Sequence, residues 1–101
     1  MANFSILVGE EWTQILDMSG KLPPGTIIES ATVTAAISPS GTDASDDVLG
    51  GSVIILEGSK VAYVVIGYEA GKTYELLVTM TLDDSKGILK KYIRMAVVTK
   101  L

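Results

Sequence analysis

Residues 67–73, GYEAGKT, form the stretch whose residue types and spacing come closest to a site for chemistry. They follow an apolar run and end in Gly-Lys-Thr, as does the phosphate-binding loop GxxxxGK[ST]. In that loop, backbone N–H groups and the N-terminus of a following helix bind phosphate. Here three residues separate Gly67 from Gly71, where the motif has four, and a strand is predicted after Thr73. We therefore predict a turn at this segment and no nucleotide or other cofactor.

The remaining residues that could do chemistry are few. The chain contains no Cys and no His, which excludes disulfides, thiolate or imidazole metal ligands and His-assisted nucleophiles. Asp43, Ser45 and Asp47 have the spacing of a calcium loop, but Val48 and Ile54 stand where that loop requires Gly and Glu. We predict no metal site, no catalytic residue and no enzyme, with an adventitious cation in the acidic loop 38–51 as the alternative.

Charge and hydropathy restrict the partners. The net charge of −4 argues against a nucleic-acid partner, because phosphate contacts require a basic surface. The apolar stretch 4–8 is too short for a signal sequence or a membrane span, so we expect a soluble protein made in the cytoplasm. All charged residues after Asp84 are basic. This uneven charge distribution favours binding to a partner, and an ordinary solvated strand face is the alternative.

The elements that must position these residues are strands. Residues 73–82 alternate between apolar and polar side chains, as in a strand with one buried face. Residues 26–37 and 88–101 alternate in the same way, and the short apolar runs 4–8, 53–56 and 61–66 are further strand candidates. Turn-rich loops such as 18–25 and 38–51 separate them. We predict an all-β fold, an antiparallel Ig-like β-sandwich of about six or seven strands with no substantial helix. It forms a single domain, residues 1–101, in which residues 1–10 are either a first strand or an extended N-terminal arm.

Four residues are predicted to have structural roles in that sandwich. Gly71 permits the bend into strand 73–82, and Tyr74 stands where Ig-like domains place a tyrosine corner, whose hydroxyl bonds to upstream backbone. An ordinary core aromatic is the alternative for Tyr74. Leu76 is predicted to point inward, and Trp12 either anchors an interface or closes one end of the core.

The hairpin of residues 53–66 is predicted to form a subunit interface. Its strands are apolar at both alternating sets of positions, whereas a strand of a two-layer sandwich has one solvated face. In a small chain without helices, another polypeptide is the natural cover. The interface candidates are Val53, Ile54, Ile55, Leu56 and Tyr63, together with Tyr92 and Arg94 on the C-terminal strand. Residues 1–8 and that strand are also candidates for pairing across subunits.

The sequence also resembles the fiber-tail adaptor family of small phage virion proteins. The resemblance spans residues 11–98 and joins an N-terminal "W…L…I.SA" pattern to a C-terminal "G..Y.v" segment and closing hairpin. The matching residues are Trp12, Leu16, Ile28, Ser30, Ala31, Gly71, Tyr74, Val78, Gly87, Ile93 and Val97.

The resemblance implies an oligomeric virion component that links the tail or neck to tail fibres. Its partners would be other virion proteins and further copies of itself. The alternatives are a capsid decoration protein and, from another class, an Ig-like adhesion or carbohydrate-binding module.

Overall fold

The computed structural model describes residues 2–100, which form seven strands in two packed sheets. This confirms the predicted all-β sandwich, with a single short α-helix and one 3₁₀ turn among the described residues. The strands are β1 (Ala2–Leu7), β2 (Glu11–Asp17), β3 (Ile28–Ser38), β4 (Leu49–Leu56), β5 (Lys60–Ile66), β6 (Thr73–Leu82) and β7 (Ile88–Val98). The helix is α1 (Ser45–Val48), and the 3₁₀ turn is Asp83–Ser85.

The strand order is that of an Ig-like sandwich. One sheet has the order β1-β7-β6-β3 and the other has the order β2-β5-β4. In a constant-type Ig domain the first strand pairs with the second in the same sheet. Here β1 instead pairs with β7 in the four-stranded sheet. The β1–β7 pair is parallel, with Ala2 opposite Ile93 and Leu7 opposite Val98, whereas the other four strand pairs are antiparallel as predicted.

The pairing of β1 bears on two predictions about the termini. Residues 2–7 are a strand of the sheet, not an extended arm. Strand β7 has β6 on one side and, over residues 93–98, β1 on the other, whereas the β1 pairing does not reach residues 88–92. That residues 1–8 or the C-terminal strand pair across subunits stays a prediction.

The core lies between the two sheets, and the alternation predicted for β6 places its apolar residues there. Tyr74, Leu76, Val78 and Met80 are all buried on the inner face of β6. Strand β5 meets them from the opposite sheet through every second residue. The three inward residues of β5 are Val61, Tyr63 and Val65.

Both ends of the sandwich are covered by segments predicted to be surface loops. Met18 is buried, and Leu22 packs against the core at the end where β2 leads into β3. At the other end, Ala44 and Val48 are buried and α1 carries Val48 into the core. The prediction that residues 38–51 are a surface loop was therefore wrong in part, because two apolar side chains give this segment a buried face.

Candidate interaction surfaces

The outer face of the three-stranded sheet carries apolar side chains from all three of its strands. We call it the apolar face, and it consists of Ile15 on β2, Ile54 and Leu56 on β4, and Ala62, Val64 and Ile66 on β5. Ile15 is 50% exposed and Ile54 is 56% exposed, so these two branched side chains stand in solvent. A soluble monomer usually limits such contiguous apolar surface, and larger patches mark interaction sites.

The pairing of the strands explains why these side chains meet. Ala62 pairs with Ile15 on one side and with Ile54 on the other, so the three form a row across the sheet. Ala62 is only 7% exposed, so the two isoleucines flank a small, largely covered side chain. Successive residues of a strand point to opposite faces, so Val64 and Ile66 continue the apolar face along β5.

Two glycines continue the apolar face towards the start of β4. A Cβ at Gly50 would lie 3.2 Å from Cδ1 of Ile66, and a Cβ at Gly51 would lie 3.2 Å from Cγ2 of Val64. The backbone of β4 therefore lies directly against these two side chains. Gly51 also has a φ of +65°, which favours glycine, and the register between β4 and β5 shifts between Gly50 and Ile54.

Charged residues border the apolar face at both ends. Glu11 pairs with Ile66 at one end, and Asp17 pairs with Lys60 at the other. Lys60 lies 3.4 Å from the Glu57 carboxylate. The pKa of Asp17 is lowered, mainly because the hydroxyl and backbone N–H of Ser19 both donate to its carboxylate, with a smaller contribution from Lys60. An apolar centre with a charged border is the usual layout of a protein contact surface.

The outer face of the four-stranded sheet has a different character. We call it the polar face, and its residues include Thr32, Thr34, Glu75, Thr79, Thr81, Lys90, Tyr92 and Arg94. Glu75 pairs with Arg94, so opposite charges face each other across β6 and β7. Tyr92 is exposed beside Leu77, and together they are the main apolar surface at the middle of this face.

The structure separates the predicted interface residues into three groups. Ile54 and Leu56 belong to the apolar face, whereas Val53 and Ile55 point the other way and pack against the core. Tyr63 is 2% exposed and lies inside the sandwich, so it does not belong to an outer surface. The remaining two candidates, Tyr92 and Arg94, lie on the polar face at the opposite side of the molecule.

Trp12 is half-buried on the inner face of β2 and packs against the core. Its ring centroid lies 6.2 Å from that of Phe4 on β1, at a tilt of 46°. Its indole N–H donates to Oε1 of Gln14 at 2.9 Å. Because β1 and β2 belong to different sheets, the aromatic pair joins the two layers along one side of the sandwich. Trp12 therefore packs against the core, and its predicted role in an interface stays a prediction.

The turn before β6 has the bend predicted at Gly71 but lacks the tyrosine-corner bond. Gly71 has a φ of +84° and its N–H donates to the Val97 carbonyl at 2.9 Å, which fixes the bend. Lys72 is exposed, and the strand follows it directly. Tyr74 is 1% exposed, yet among the described residues its hydroxyl donates to no backbone carbonyl. Burial raises its pKa, and the nearby Glu69 and Asp47 carboxylates raise it further.

Tyr63 carries a buried hydroxyl with no hydrogen-bond partner in the described part of the chain. It pairs with Gln14 across β2 and β5, and the Gln14 side-chain oxygen accepts from Trp12. Burial raises the pKa of Tyr63 to about 12, because the phenolate form is disfavoured inside the core. A buried hydroxyl without a hydrogen-bond partner destabilises the fold, so we expect the Tyr63 hydroxyl to lower the stability of the core.

Two features of the structure were missed in the sequence. The first is Gly67, where an added Cβ would overlap the backbone oxygen of Leu7. Its N–H donates to Glu10 at 2.8 Å and its carbonyl accepts from Gly9 at 2.7 Å, so it fastens β5 to the β1–β2 turn. No signal in the sequence distinguishes this glycine from a turn glycine. The second is Ile15, which follows from the alternation of β2 once that segment is read as a strand.

The acidic loop has an internal arrangement of its own. The Asp43 carboxylate accepts from the Ser45 hydroxyl at 2.8 Å and from its N–H at 3.3 Å. Within residues 2–100, no cluster of three or more acidic side chains with metal-binding geometry is found, and no enclosed pocket is found. Nor does that part of the chain contain a helix with the length and apolar character needed to cross a membrane.

Comparisons with known proteins add little to this description. No known family model matches the chain, and no curated protein matches it. Among solved structures, the chain is similar to one described as "Solution Structure of Amebosin", with a TM-score of 0.41 and 12% sequence identity. The match covers 94% of this chain and 87% of that chain. A likeness at this level supports no inference about function.

Proposed function

We propose that the protein is a structural component of a tailed bacteriophage virion, an adaptor that links the tail or neck to the tail fibres. It acts in many copies through protein–protein contacts and catalyses no reaction. Its partners are further copies of itself and neighbouring proteins of the particle. The apolar face is the observation that carries the proposal, because it offers a contact surface on a rigid sheet.

The residues that resemble the adaptor family support the fold part of the proposal. Leu16, Tyr74, Val78 and Ile93 are buried in the core, and Gly71 sets the turn into β6. These positions specify the sandwich and leave its outer surfaces free to vary. The contact function therefore depends on the residues of the outer faces.

The apolar face has the properties that such a contact requires. Its side chains come from three neighbouring strands, so its shape is fixed by the ladder of hydrogen bonds beneath it. Removal of exposed branched side chains from water favours association, and part of this gain offsets the entropy that the associating chains lose. The surrounding charges, Glu11 and Asp17 among them, favour one orientation of the partner.

Negative-stain electron microscopy of the purified full-length protein tests the proposal. We expect closed rings of uniform size, because an adaptor with cyclic symmetry assembles through repeated contacts between copies. An Ile54→Lys variant should lose the rings while a Thr81→Lys variant, which adds the same charge to the polar face, keeps them. A monomer that binds glycans would contradict the proposal and favour an adhesion or carbohydrate-binding module. Binding of the purified protein to assembled capsids alone would also contradict the proposal, and it would favour a capsid decoration protein.

A further inference from the structure

The outer edge of β3 exposes backbone groups that can pair with another strand. The register between β3 and β6 is continuous from Ser30 to Ser38, so every second residue of β3 turns its N–H and C=O away from β6. Ala35 and Ile37 are two of these residues. The Ala35 N–H donates to Oγ of Ser45 at 2.9 Å, and the Ile37 N–H donates to the Thr42 carbonyl at 2.8 Å.

The same alternation makes Ala31 and Val33 present their backbone groups on that side. Within residues 2–100, no strand pairs with this edge between Ser30 and Thr34. We call the backbone of residues 30–34 on this side the β3 edge. It lies between Ala35 and Ile37, whose N–H groups are occupied, and Ile28, whose N–H donates to the Gly58 carbonyl at 2.8 Å.

The β3 edge lacks the features with which proteins usually protect an open edge. Residues 30–34, SATVT, contain no charge and no proline, and the register shift of β3 and the charge of Glu29 lie just before them, between Ile28 and Ser30. Strand β4, an edge strand of the other sheet, has a register shift after Gly50, and β2 has Glu11 and Asp17 at its two ends. An unprotected edge rich in Thr and Val is a template for strand addition.

We propose that the β3 edge pairs with the β3 edge of a second copy of this chain, antiparallel, about a two-fold axis at Thr32. In this register Ala31 pairs with Val33 of the second copy through both backbone hydrogen bonds, and Val33 pairs with Ala31 in the same way. Thr32 then faces Thr32 of the second copy at the position between the two hydrogen-bonded pairs. The two four-stranded sheets become one continuous sheet.

The second copy is favoured because the segment is complementary to itself. Ser30 faces Thr34 across the axis, and Thr32 faces Thr32, so hydroxyl side chains meet and no like charges are opposed. The ladder ends at Ala35, whose carbonyl already accepts from the Ala44 N–H at 2.9 Å. A contact of this kind uses the same surface on both copies and closes at two. The polar face of each copy then continues across the junction.

Disulfide trapping tests this register directly, because the chain contains no cysteine. Facing residues between hydrogen-bonded pairs have Cα atoms about 4.5 Å apart, which lies within the range that a disulfide spans. A Thr32→Cys variant should therefore form a covalent dimer under mild oxidation. The matched control is Thr81→Cys, which is exposed on the same face but one strand inward. We expect Thr32→Cys to cross-link at least about tenfold faster, because pairing raises its effective concentration.

A second pair of variants separates edge pairing from accidental cross-linking. Ala31→Pro in the Thr32→Cys background removes an outward N–H but leaves the ladder to β6 intact, and it should reduce cross-linking to the Thr81→Cys rate. Ala31→Val in the same background keeps that N–H and should keep the fast rate. Circular dichroism establishes that each variant is folded.

Two outcomes overturn the inference. One is equal cross-linking of Thr32→Cys and Thr81→Cys, and the other is a fast rate that survives Ala31→Pro. Cross-linking between a Ser30→Cys chain and a Thr34→Cys chain, with neither alone forming a dimer, would establish the register. The inference does not depend on the proposed adaptor function, since the rings are tested through Ile54 and the edge through Thr32.

Discussion

The outer faces of the two sheets are built by the same kind of alternating strand, yet they differ in what they present. On β6 the outward residues are mostly Thr and Glu, whereas on β5 they are Ala62, Val64 and Ile66. The inner residues of both strands are equally buried. Alternation therefore identifies the face that fills the core. The polarity of the other face indicates whether that face has water or a partner opposite it.

The two sheets also differ in the single tyrosine that each contributes to the core. Tyr74 of β6 lies near the Glu69 and Asp47 carboxylates, whereas Tyr63 of β5 has its hydroxyl buried without a partner. In the described chain neither hydroxyl makes a hydrogen bond, but only that of Tyr63 is completely buried. The sheet with the apolar face therefore carries the less favourable of the two hydroxyls.

The largest expected effect is a difference in stability between a substitution on the inner face of one sheet and a substitution on the outer face of the other. Leu76→Ala removes a fully buried side chain and should lower the free energy of unfolding by about 3 kcal/mol, through lost burial and a residual cavity. Ile54→Ala removes an exposed side chain and should change it by about 0.5 kcal/mol or less. Urea unfolding at low protein concentration, where the chain is dissociated, measures both. Equal losses would contradict the assignment of Ile54 to an outer surface.

The second effect is a loss of stability at high pH that arises from the buried hydroxyl of Tyr63. The pKa of Tyr63 is about 12 in the fold and near 10 in the unfolded chain. The unfolded state therefore releases this proton first as pH rises, so the stability present below pH 10 is lost progressively towards pH 12. We expect a loss of about 2–3 kcal/mol from this group over that interval, since one pKa unit corresponds to 1.36 kcal/mol.

Tyr63→Phe is the control for that prediction. It should raise the free energy of unfolding at neutral pH by about 1 kcal/mol, because it removes a buried hydroxyl without a partner. It should also flatten the pH dependence between pH 10 and pH 12 relative to the parent chain. An unchanged slope, measured by chemical denaturation at several pH values, would show that Tyr63 does not titrate as described.

The smallest effects are expected at the turn before β6. Tyr74→Phe should change the free energy of unfolding by about 0.5 kcal/mol or less, because its hydroxyl makes no hydrogen bond in the described chain. Lys72→Ala should change it as little, because the side chain is exposed. Thermal unfolding of the two variants measures this. A loss above about 1 kcal/mol for Tyr74→Phe would contradict this and indicate that the Tyr74 hydroxyl makes the hydrogen bond of a tyrosine corner.

The sequence predicted the strands well where one face is polar, as in β6, because period-two patterning reflects burial directly. The parallel pairing of β1 with β7 was not predicted, because it depends on contacts between the two ends of the chain. The prediction also failed at residues 44–48, where two buried side chains lie in a stretch whose composition indicates a loop. Two of the six residues of the apolar face, Ile54 and Leu56, were among the predicted interface candidates. Tyr63, Val53 and Ile55 were candidates too, although they point inward. Register alone decides which set of a fully apolar strand points inward.

The most direct test of the account is the mass of the assembly measured by sedimentation velocity. The parent chain should sediment as an oligomer, Ile54→Lys should reduce the mass to at most an edge-paired dimer, and Thr81→Lys should leave it unchanged. The two substitutions add the same charge to exposed positions, so they differ only in the face that they alter. A parent chain that sediments as a monomer, or an equal loss of mass in both variants, would contradict the claim that the apolar face is the contact surface.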